Sequence, residues 1–145
     1  MEKIKLTLDE IIRLDAELNG LSNQQTGEVI VNGILSYKIP LTTKYWLMDL
    51  AKKTKAEKDA CEGLRGEMIK KYGEEEAGNF KIDYSIKNEN GEDVVNPNFL
   101  SFRNEYSELM KQEKEIEYKE LKISDLSNVE SEDVYEILFK LIKAD

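Results

Sequence analysis

Carboxylates are the only abundant side chains in this sequence that could do acid–base chemistry or bind a metal ion. The chain has 30 Asp and Glu residues and no histidine, so His-based nucleophile activation and the usual His-containing zinc sites are excluded. Phosphate-binding glycine loops of the GxxxxGK[ST] and GxGxxG types are also missing. Carboxylate chemistry, with or without magnesium, is what remains for an enzyme. We expect no catalytic, cofactor-binding or metal-binding residues and predict that the protein is not an enzyme.

Closely spaced glutamates form the first candidate binding surface. They are Glu113, Glu115, Glu117 and Glu120. Such a row could imitate the spaced negative charge of nucleic acid and occupy a basic groove on a partner protein. The alternative is an exposed edge strand that is protected from aggregation by its charge.

Cations on the longest predicted helix suggest a second kind of site. Lys52 and Lys53 could bind a small anionic ligand such as a nucleotide, if they converge with Arg65 or Arg103 and with tyrosines in a pocket between subunits. The alternative is a solvated face that is partly paired with the acidic second half of the chain.

Two adjacent aromatic residues, Tyr45 and Trp46, are the remaining candidates. Adjacent residues on a helix diverge by about 100°, so if one is buried the other points toward the surface or a partner. Core packing is the default for this pair, and an oligomer contact is the alternative.

The distribution of charge limits the partners and the compartment. The formal net charge is -9, and residues 74–145 hold 9 Lys and Arg against 19 Asp and Glu, a net charge of -10. This acidity argues against direct nucleic-acid or anionic-membrane binding and favours basic protein surfaces. The single cysteine, Cys61, lies on an apolar stripe and is expected to be buried. Without a signal peptide or an apolar run of about 18 residues, we expect a cytosolic soluble protein.

A long helix organises the predicted fold. Residues 42–73 contain no proline, and their apolar and small residues recur at helical spacing. Gly63 and Gly66 cost about 1 kcal/mol each inside a helix. We therefore expect either a bend in the helix or the close packing of another backbone at these glycines.

The N-terminal region is predicted to form a helix followed by a hairpin. Thr7 and Glu10 have the spacing of a capping box, which opens a helix over residues 8–18. Asn32-Gly33 is a strong hairpin signal, with strands over residues 28–31 and 34–39. A helical turn over residues 34–38 is the competing interpretation.

The second half is predicted to alternate strands and helices. Alternation over residues 80–86, a turn at Asn90-Gly91 and a return through residues 94–95 predict a hairpin, within an exposed arm at about residues 79–96. Three further elements follow: an amphipathic helix over residues 97–111 that packs on the long helix, a bulged strand within residues 112–124, and a C-terminal helix over residues 132–143 capped by Ser131.

Together these elements predict one α+β domain over residues 1–145. Its long central helix packs antiparallel against a second helix. Helices at both ends cap this pair, and the strands form small β-hairpins or a small antiparallel sheet.

Several segments of the sequence carry a resemblance. They are Lys44-Tyr45, EGLR at 62–65, KKYG at 70–73, NEYSELM at 104–110, IEY at 116–118 and Ile123-Ser124. Over about residues 40–125 the chain resembles a family of small uncharacterised accessory proteins of tailed bacteriophages.

This resemblance implies a viral protein made in the cytoplasm of an infected bacterium, and it brings no catalytic residues. The function that we expect is non-enzymatic binding, and inhibition, of a host factor such as a defence component. One alternative is a structural or assembly component of the phage particle, which would self-associate. The other is an oligomeric protein that sequesters a small anionic signalling nucleotide.

Overall fold

A computed structural model describes residues 1–130 and 133–143 of the chain. It shows an α+β fold in which a long helix packs on other helices and is accompanied by small, mostly antiparallel strand pairs, as predicted. The chain divides into two compact units. The first unit comprises Met1–Lys58 and Glu113–Asp145, and the second comprises Asp59–Gln112.

The helices and strands alternate along the chain. The helices are α1 (Leu8–Asn19), α2 (Leu41–Tyr72), α3 (Pro97–Met110) and α4 (Glu136–Phe139). The strands before α3 are β1 (Glu2–Thr7), β2 (Leu21–Ser22), β3 (Val29–Val31), β4 (Glu74–Glu76), β5 (Asn79–Lys81), β6 (Ser85–Lys87) and β7 (Asp93–Val95). Those after α3 are β8 (Glu113–Tyr118), β9 (Leu121–Lys122) and β10 (Ile142–Lys143).

The first unit is built on an antiparallel ribbon of β1 and β8. Ile4 lies opposite Ile116, so apolar side chains of the two strands share one face. Strand β1 directly precedes α1 and has no counterpart among the predicted elements. Its short alternating pattern is reinforced by pairing with β8, more than a hundred residues away in sequence.

Helix α1 begins at the predicted capping box. The Thr7 hydroxyl accepts the Glu10 N–H at 3.1 Å, and the Glu10 carboxylate accepts the Thr7 N–H at 3.1 Å. Fourteen buried apolar residues form one core around α1: Leu6, Ile11, Leu14, Leu18, Ile34, Ile39, Leu47, Leu50, Ala51, Ile116, Leu121, Ile137, Leu138 and Leu141.

A buried polar contact joins α1 to the first part of α2. The Thr54 hydroxyl, which is fully buried, donates to Asp15 Oδ1 at 3.0 Å, and Asn19 Nδ2 donates to the same oxygen at 2.9 Å. Lys58 Nζ lies 3.7 Å from Asp15 Oδ2. The buried carboxylate is therefore compensated by two hydrogen bonds and a cation.

Helix α2 matches the predicted long helix to within one residue at each end. Cys61 is buried, as its place on the apolar stripe predicts. Of the two alternatives for Gly63 and Gly66, the close packing of another backbone is wrong. A Cβ atom added at Gly63 or Gly66 would meet no heavy atom within 4 Å in the part of the chain that the structure describes.

The hairpin predicted at Asn32-Gly33 is also wrong. Residues Ile34–Ser36 form a 3-10 turn, close to the competing interpretation, and β3 pairs with β2 instead. Gly33 has φ -65°, which any residue can adopt, so positive φ is not the reason for glycine here. A Cβ at Gly33 would stand 2.5 Å from the Asn19 carbonyl carbon and 2.6 Å from the Leu18 oxygen. Close approach of two backbones is what requires this glycine.

The C-terminal helix is much shorter than predicted. Among residues 133–143, only Glu136–Phe139 is helical, and Ile142–Lys143 forms a parallel pair with β9. The predicted cap, Ser131, lies outside the described residues. The predicted bulged strand is likewise two strands, β8 and β9, and a 3-10 turn at Ile123–Leu126 follows them.

The second unit contains two hairpins and α3. Strands β6 and β7 pair around Gly91, which has φ 77°, and confirm the predicted turn. The strand predicted over residues 80–86 is divided, because its first part belongs to β5, which pairs with β4. Strands β4 and β5 form another hairpin, whose turn has Ala77 at φ 52° and Gly78 at φ 84°. Strands β4–β7 are exposed throughout.

Candidate interaction surface

Four aromatic side chains of the second unit contact one another in sequence and form a surface that we call the aromatic row. Its members are Tyr84, Phe99, Phe102 and Tyr106. Successive ring centroids are separated by 5.1, 6.4 and 6.0 Å. None of the four side chains is buried, and Tyr84 is 60% exposed.

Helix α3 supplies three of these rings because its aromatic residues recur at positions i, i+3 and i+7, which share one face of a helix. The start of α3 fixes the fourth ring beside them. Asn96 caps α3 by accepting the Asn98 N–H at 3.0 Å, and its own backbone N–H donates to the Tyr84 carbonyl at 2.8 Å. Pro97 occupies the first turn, where its missing N–H has no consequence.

Charged groups flank the aromatic row. The Arg65 guanidinium lies 5.8 Å from the centroid of the Phe102 ring. One turn further along the row, Glu105 accepts a 2.6 Å hydrogen bond from the Tyr72 hydroxyl and lies 3.5 Å from Lys71 Nζ. The Tyr72 hydrogen bond is the main reason that the pKa of Glu105 is lowered, and Lys71 acts in the same direction. This carboxylate therefore stays charged beside the rings at neutral pH.

The sequence-based interpretation missed this site. Phe99, Phe102 and Tyr106 were expected to be an apolar stripe packed on the long helix, yet α3 has no buried residue. The composition of the stripe carried the missing signal, since aromatic residues dominate it and Glu105 lies among them. Aromatic residues are enriched at protein interfaces, because they combine a large apolar surface with few rotatable bonds.

The predicted acidic row lies in the first unit and is partly neutralised. Glu113, Glu115 and Glu117 are exposed on one face of β8, as expected of a contiguous surface. The register places Lys5 opposite Glu115 and Lys3 opposite Glu117, so the face alternates in charge.

The fourth glutamate of that row, Glu120, is separate from the others. It follows β8, is half-buried and lies 3.5 Å from Lys143 Nζ. The structure therefore does not form a continuous acidic surface from all four predicted residues.

The predicted aromatic pair on α2 is partly solvent-facing. Tyr45 is 62% exposed and Trp46 is half-buried, and their rings meet edge to face at 5.0 Å. Neither side chain is buried, and Tyr45 is the more exposed member of the pair.

The four candidate cations for an anionic ligand are divided between the two units. Lys52 borders a shallow depression of about 210 Å³ with Asn19 and Leu35, and Lys53 pairs with Asp49 at 3.2 Å. Arg65 contacts the aromatic row, and Arg103 is exposed on α3.

Within residues 1–130 and 133–143, no group of three or more His, Cys, Asp or Glu side chains lies close enough together to hold a metal ion. None of the helices in those ranges is both long and apolar enough to cross a bilayer.

Comparisons of the chain with protein-family models, with curated proteins and with solved structures found no match.

Proposed function

We propose that this protein is a non-enzymatic interaction protein that binds a basic, partly apolar surface of a partner protein through its aromatic row. In keeping with the phage resemblance, the proposed partner is a bacterial host factor whose activity the binding inhibits. The acidic surface of the second unit around the aromatic row is the part of the chain that would recognise this partner.

The observation that carries this proposal is that none of the four rings of the aromatic row is buried. Tyr84 is 60% exposed, and the next ring, Phe99, is only half-buried although it contacts Tyr84. Residues whose truncation costs most binding energy at interfaces are enriched in aromatic side chains and arginine, and here Arg65 stacks on the row. The row therefore has the composition of an interface centre, with Tyr84 exposed and the other three rings only partly covered by the chain.

Charge selects the kind of partner. The second unit contains 7 Lys and Arg against 12 Asp and Glu, a net charge of -5. Several of its lysines are held by carboxylates, including Lys81 with Glu76 at 2.5 Å and Lys87 with Asp93 at 2.8 Å. A second copy of the same unit would bring like charges together, whereas a basic partner would gain in both affinity and association rate.

One observation favours an alternative, a structural or assembly role with self-association. Leu41, Tyr45 and Met48 are 84%, 62% and 47% exposed and recur at positions i, i+4 and i+7 on α2. An exposed apolar stripe at this spacing suits helix–helix pairing between copies. This stripe lies in the first unit, so its role is separable from that of the aromatic row by mutation.

The proposal is tested by capture followed by titration. The tagged protein is incubated with a bacterial lysate, retained proteins are identified by mass spectrometry, and the candidate is purified and titrated by calorimetry. The test variant is Tyr84→Ser, which removes an exposed ring, and the matched control is Tyr45→Ser, equally exposed but in the first unit. We expect at least tenfold weaker binding for Tyr84→Ser, weaker binding at high salt, and no change for Tyr45→Ser.

Two results would contradict the proposal. The first is a purified partner that binds the Tyr84→Ser variant as tightly as it binds the wild type. The second is a closed oligomer in light scattering that dissociates on Tyr45→Ser and retains no host protein, which would support the assembly role instead.

A further inference from the structure

A separate apolar cleft lies in the first unit, between the 3-10 turn that follows β9 and the C-terminal elements. Its volume is about 600 Å³, within the range of known ligand-binding clefts of ~300–1,000 Å³. The apolar side chains that define it are Ile123, Leu126, Val134, Leu138, Phe139 and Ile142.

The rim of this cleft exposes large apolar side chains. Val134 is 77% exposed, Phe139 is 65% exposed and Ile123 is 47% exposed. Leu138, at the base, is fully buried in the core. Exposed apolar residues that surround a depression mark interaction sites in proteins more often than isolated exposed residues do.

The charges at the cleft are negative. Asp133 and Glu136 contribute carboxylates to its lining, and the described lining contains no lysine or arginine. Lys140, which directly follows α4, pairs with Glu10 at 2.6 Å. An occupant with apolar side chains and a cationic flank would therefore be complementary to this surface in both respects.

The walls of the cleft are fixed by contacts from elsewhere in the first unit. The buried Glu17 carboxylate accepts the N–H groups of Ile137 at 3.1 Å and Leu138 at 3.0 Å, which anchors α4 on α1. Asp133 Oδ2 accepts the Asn32 N–H at 2.9 Å. A wall held in this way loses little conformational freedom when an occupant binds.

We propose that this cleft binds a short amphipathic segment of a partner protein, whose apolar side chains enter the cleft while its lysines or arginines face Asp133 and Glu136. Helices that bind in this mode present apolar residues at i, i+3, i+4 and i+7 to a groove. The inference stands on the first unit alone and does not depend on the aromatic row.

The test uses three synthetic fluorescent peptides of one length and measures their binding by fluorescence anisotropy at physiological salt. The first has leucines at helical spacing and lysines elsewhere, the second replaces the lysines by glutamates, and the third replaces the leucines by serines. We expect the Leu/Lys peptide to bind at least tenfold more tightly than either of the others.

Variants locate the binding at the cleft. Phe139→Asp changes an exposed rim residue and should weaken the Leu/Lys peptide at least tenfold, and Glu136→Gln should weaken it about threefold to tenfold. Tyr84→Ser, which disables the aromatic row, and Glu28→Gln, at an exposed carboxylate outside the lining, should leave the affinity unchanged. Circular dichroism confirms that each variant is folded.

Three outcomes would overturn the inference. In the first, the Leu/Glu peptide binds as tightly as the Leu/Lys peptide. In the second, the Phe139→Asp variant binds the Leu/Lys peptide as tightly as the wild type does. In the third, a small lipophilic cation such as decyltrimethylammonium binds although no peptide does. If the Tyr84→Ser variant loses peptide binding and the Phe139→Asp variant keeps it, the inference is also overturned, and the binding is assigned to the aromatic row.

Discussion

The two units differ in how they use apolar side chains. In the first unit fourteen apolar residues form one buried core, whereas among residues 59–112 of the second unit only Cys61 is buried. The second unit does not lack apolar residues, since Leu64, Phe80, Tyr84 and Ile86 are between 39% and 60% exposed. Its apolar surface remains available for contacts outside the chain, and this difference supports a division between a stable scaffold and a recognition element.

The largest effect that would sharpen this comparison comes from truncating one leucine in each unit. Leu14 is fully buried, so Leu14→Ala should lower the free energy of unfolding by about 2–5 kcal/mol through lost burial and a residual cavity. Leu64 is 42% exposed, so Leu64→Ala should cost less than about 1 kcal/mol. Urea unfolding measures both, and equal losses would remove the distinction between the units.

A smaller loss is expected from a glycine in the first unit. Gly33→Ala places a methyl group against the Asn19 and Leu18 backbone, and we expect a cost of about 1–3 kcal/mol from this overpacking. Thermal unfolding followed by circular dichroism is the measurement. A variant as stable as the wild type would show that the two backbones can move apart freely.

A glycine-to-alanine substitution should have the opposite effect on stability in the second unit. Gly63→Ala and Gly66→Ala add a methyl group to open space on α2, and each should stabilise the protein by about 0.5–1 kcal/mol through higher helix propensity. Chemical unfolding with Gly33→Ala measured in parallel gives the contrast. Destabilisation by either helical variant would indicate that a contact absent from the isolated chain needs the glycine.

The smallest predicted effect is a pH dependence of opposite sign in the two units. Burial raises the pKa of Glu17 above its ordinary 4.5, although the N–H groups of Leu138 and Ile137 oppose this shift. Its contribution to stability is therefore full below pH 4.5 and lost as the pH rises through the raised pKa. The pKa of Glu105 is lowered instead, so its contribution is present above pH 4.5 and lost on acidification.

Unfolding at a series of pH values separates these two contributions. Glu17→Gln keeps an acceptor oxygen for both amides, so its stability should fall less than that of the wild type as the pH rises above 4.5. Glu105→Gln should lose less stability than the wild type as the pH falls below 4.5. Identical pH profiles for both variants and the wild type would show that neither shift contributes to stability.

Local patterns predicted the regular elements well where one short segment contains all the determinants. The long helix was predicted to within a residue at each end, and both hydrogen bonds of the Thr7 capping box formed as expected. The Asn90-Gly91 hairpin also formed, since Gly91 supplies the positive φ that the turn needs. In each case the decisive contacts lie within a few residues.

Prediction failed where distant segments compete for the same residues. Asn32-Gly33 has the sequence of a tight turn, but the backbone of Gly33 lies against that of Asn19. The C-terminal segment has a helical pattern, yet Ile142 pairs with Leu121 as a strand after a single turn of helix. The local periodicity of the sequence predicts neither of these contacts.

The candidate sites show the same limit. The sequence contained every residue of the acidic row, but it could not show that Lys3 and Lys5 would lie across from Glu117 and Glu115. Aromatic residues on α3 were equally visible, and their helical spacing was read as core packing. Whether such a stripe is buried depends on how much apolar surface its neighbours offer, which spacing does not encode.

The sequence by itself determined the long helix, the capping box of α1 and the turn at Gly91, together with the placement of charge and the absence of histidine chemistry, because these follow from residue types at short range. Only the tertiary structure decided that the core would lie in the first unit, that the rings of the aromatic row would stay outside a buried core, and that an acidic apolar cleft would form beside α4. Burial is a property of several segments packed together, so it emerges only when residues far apart in sequence meet.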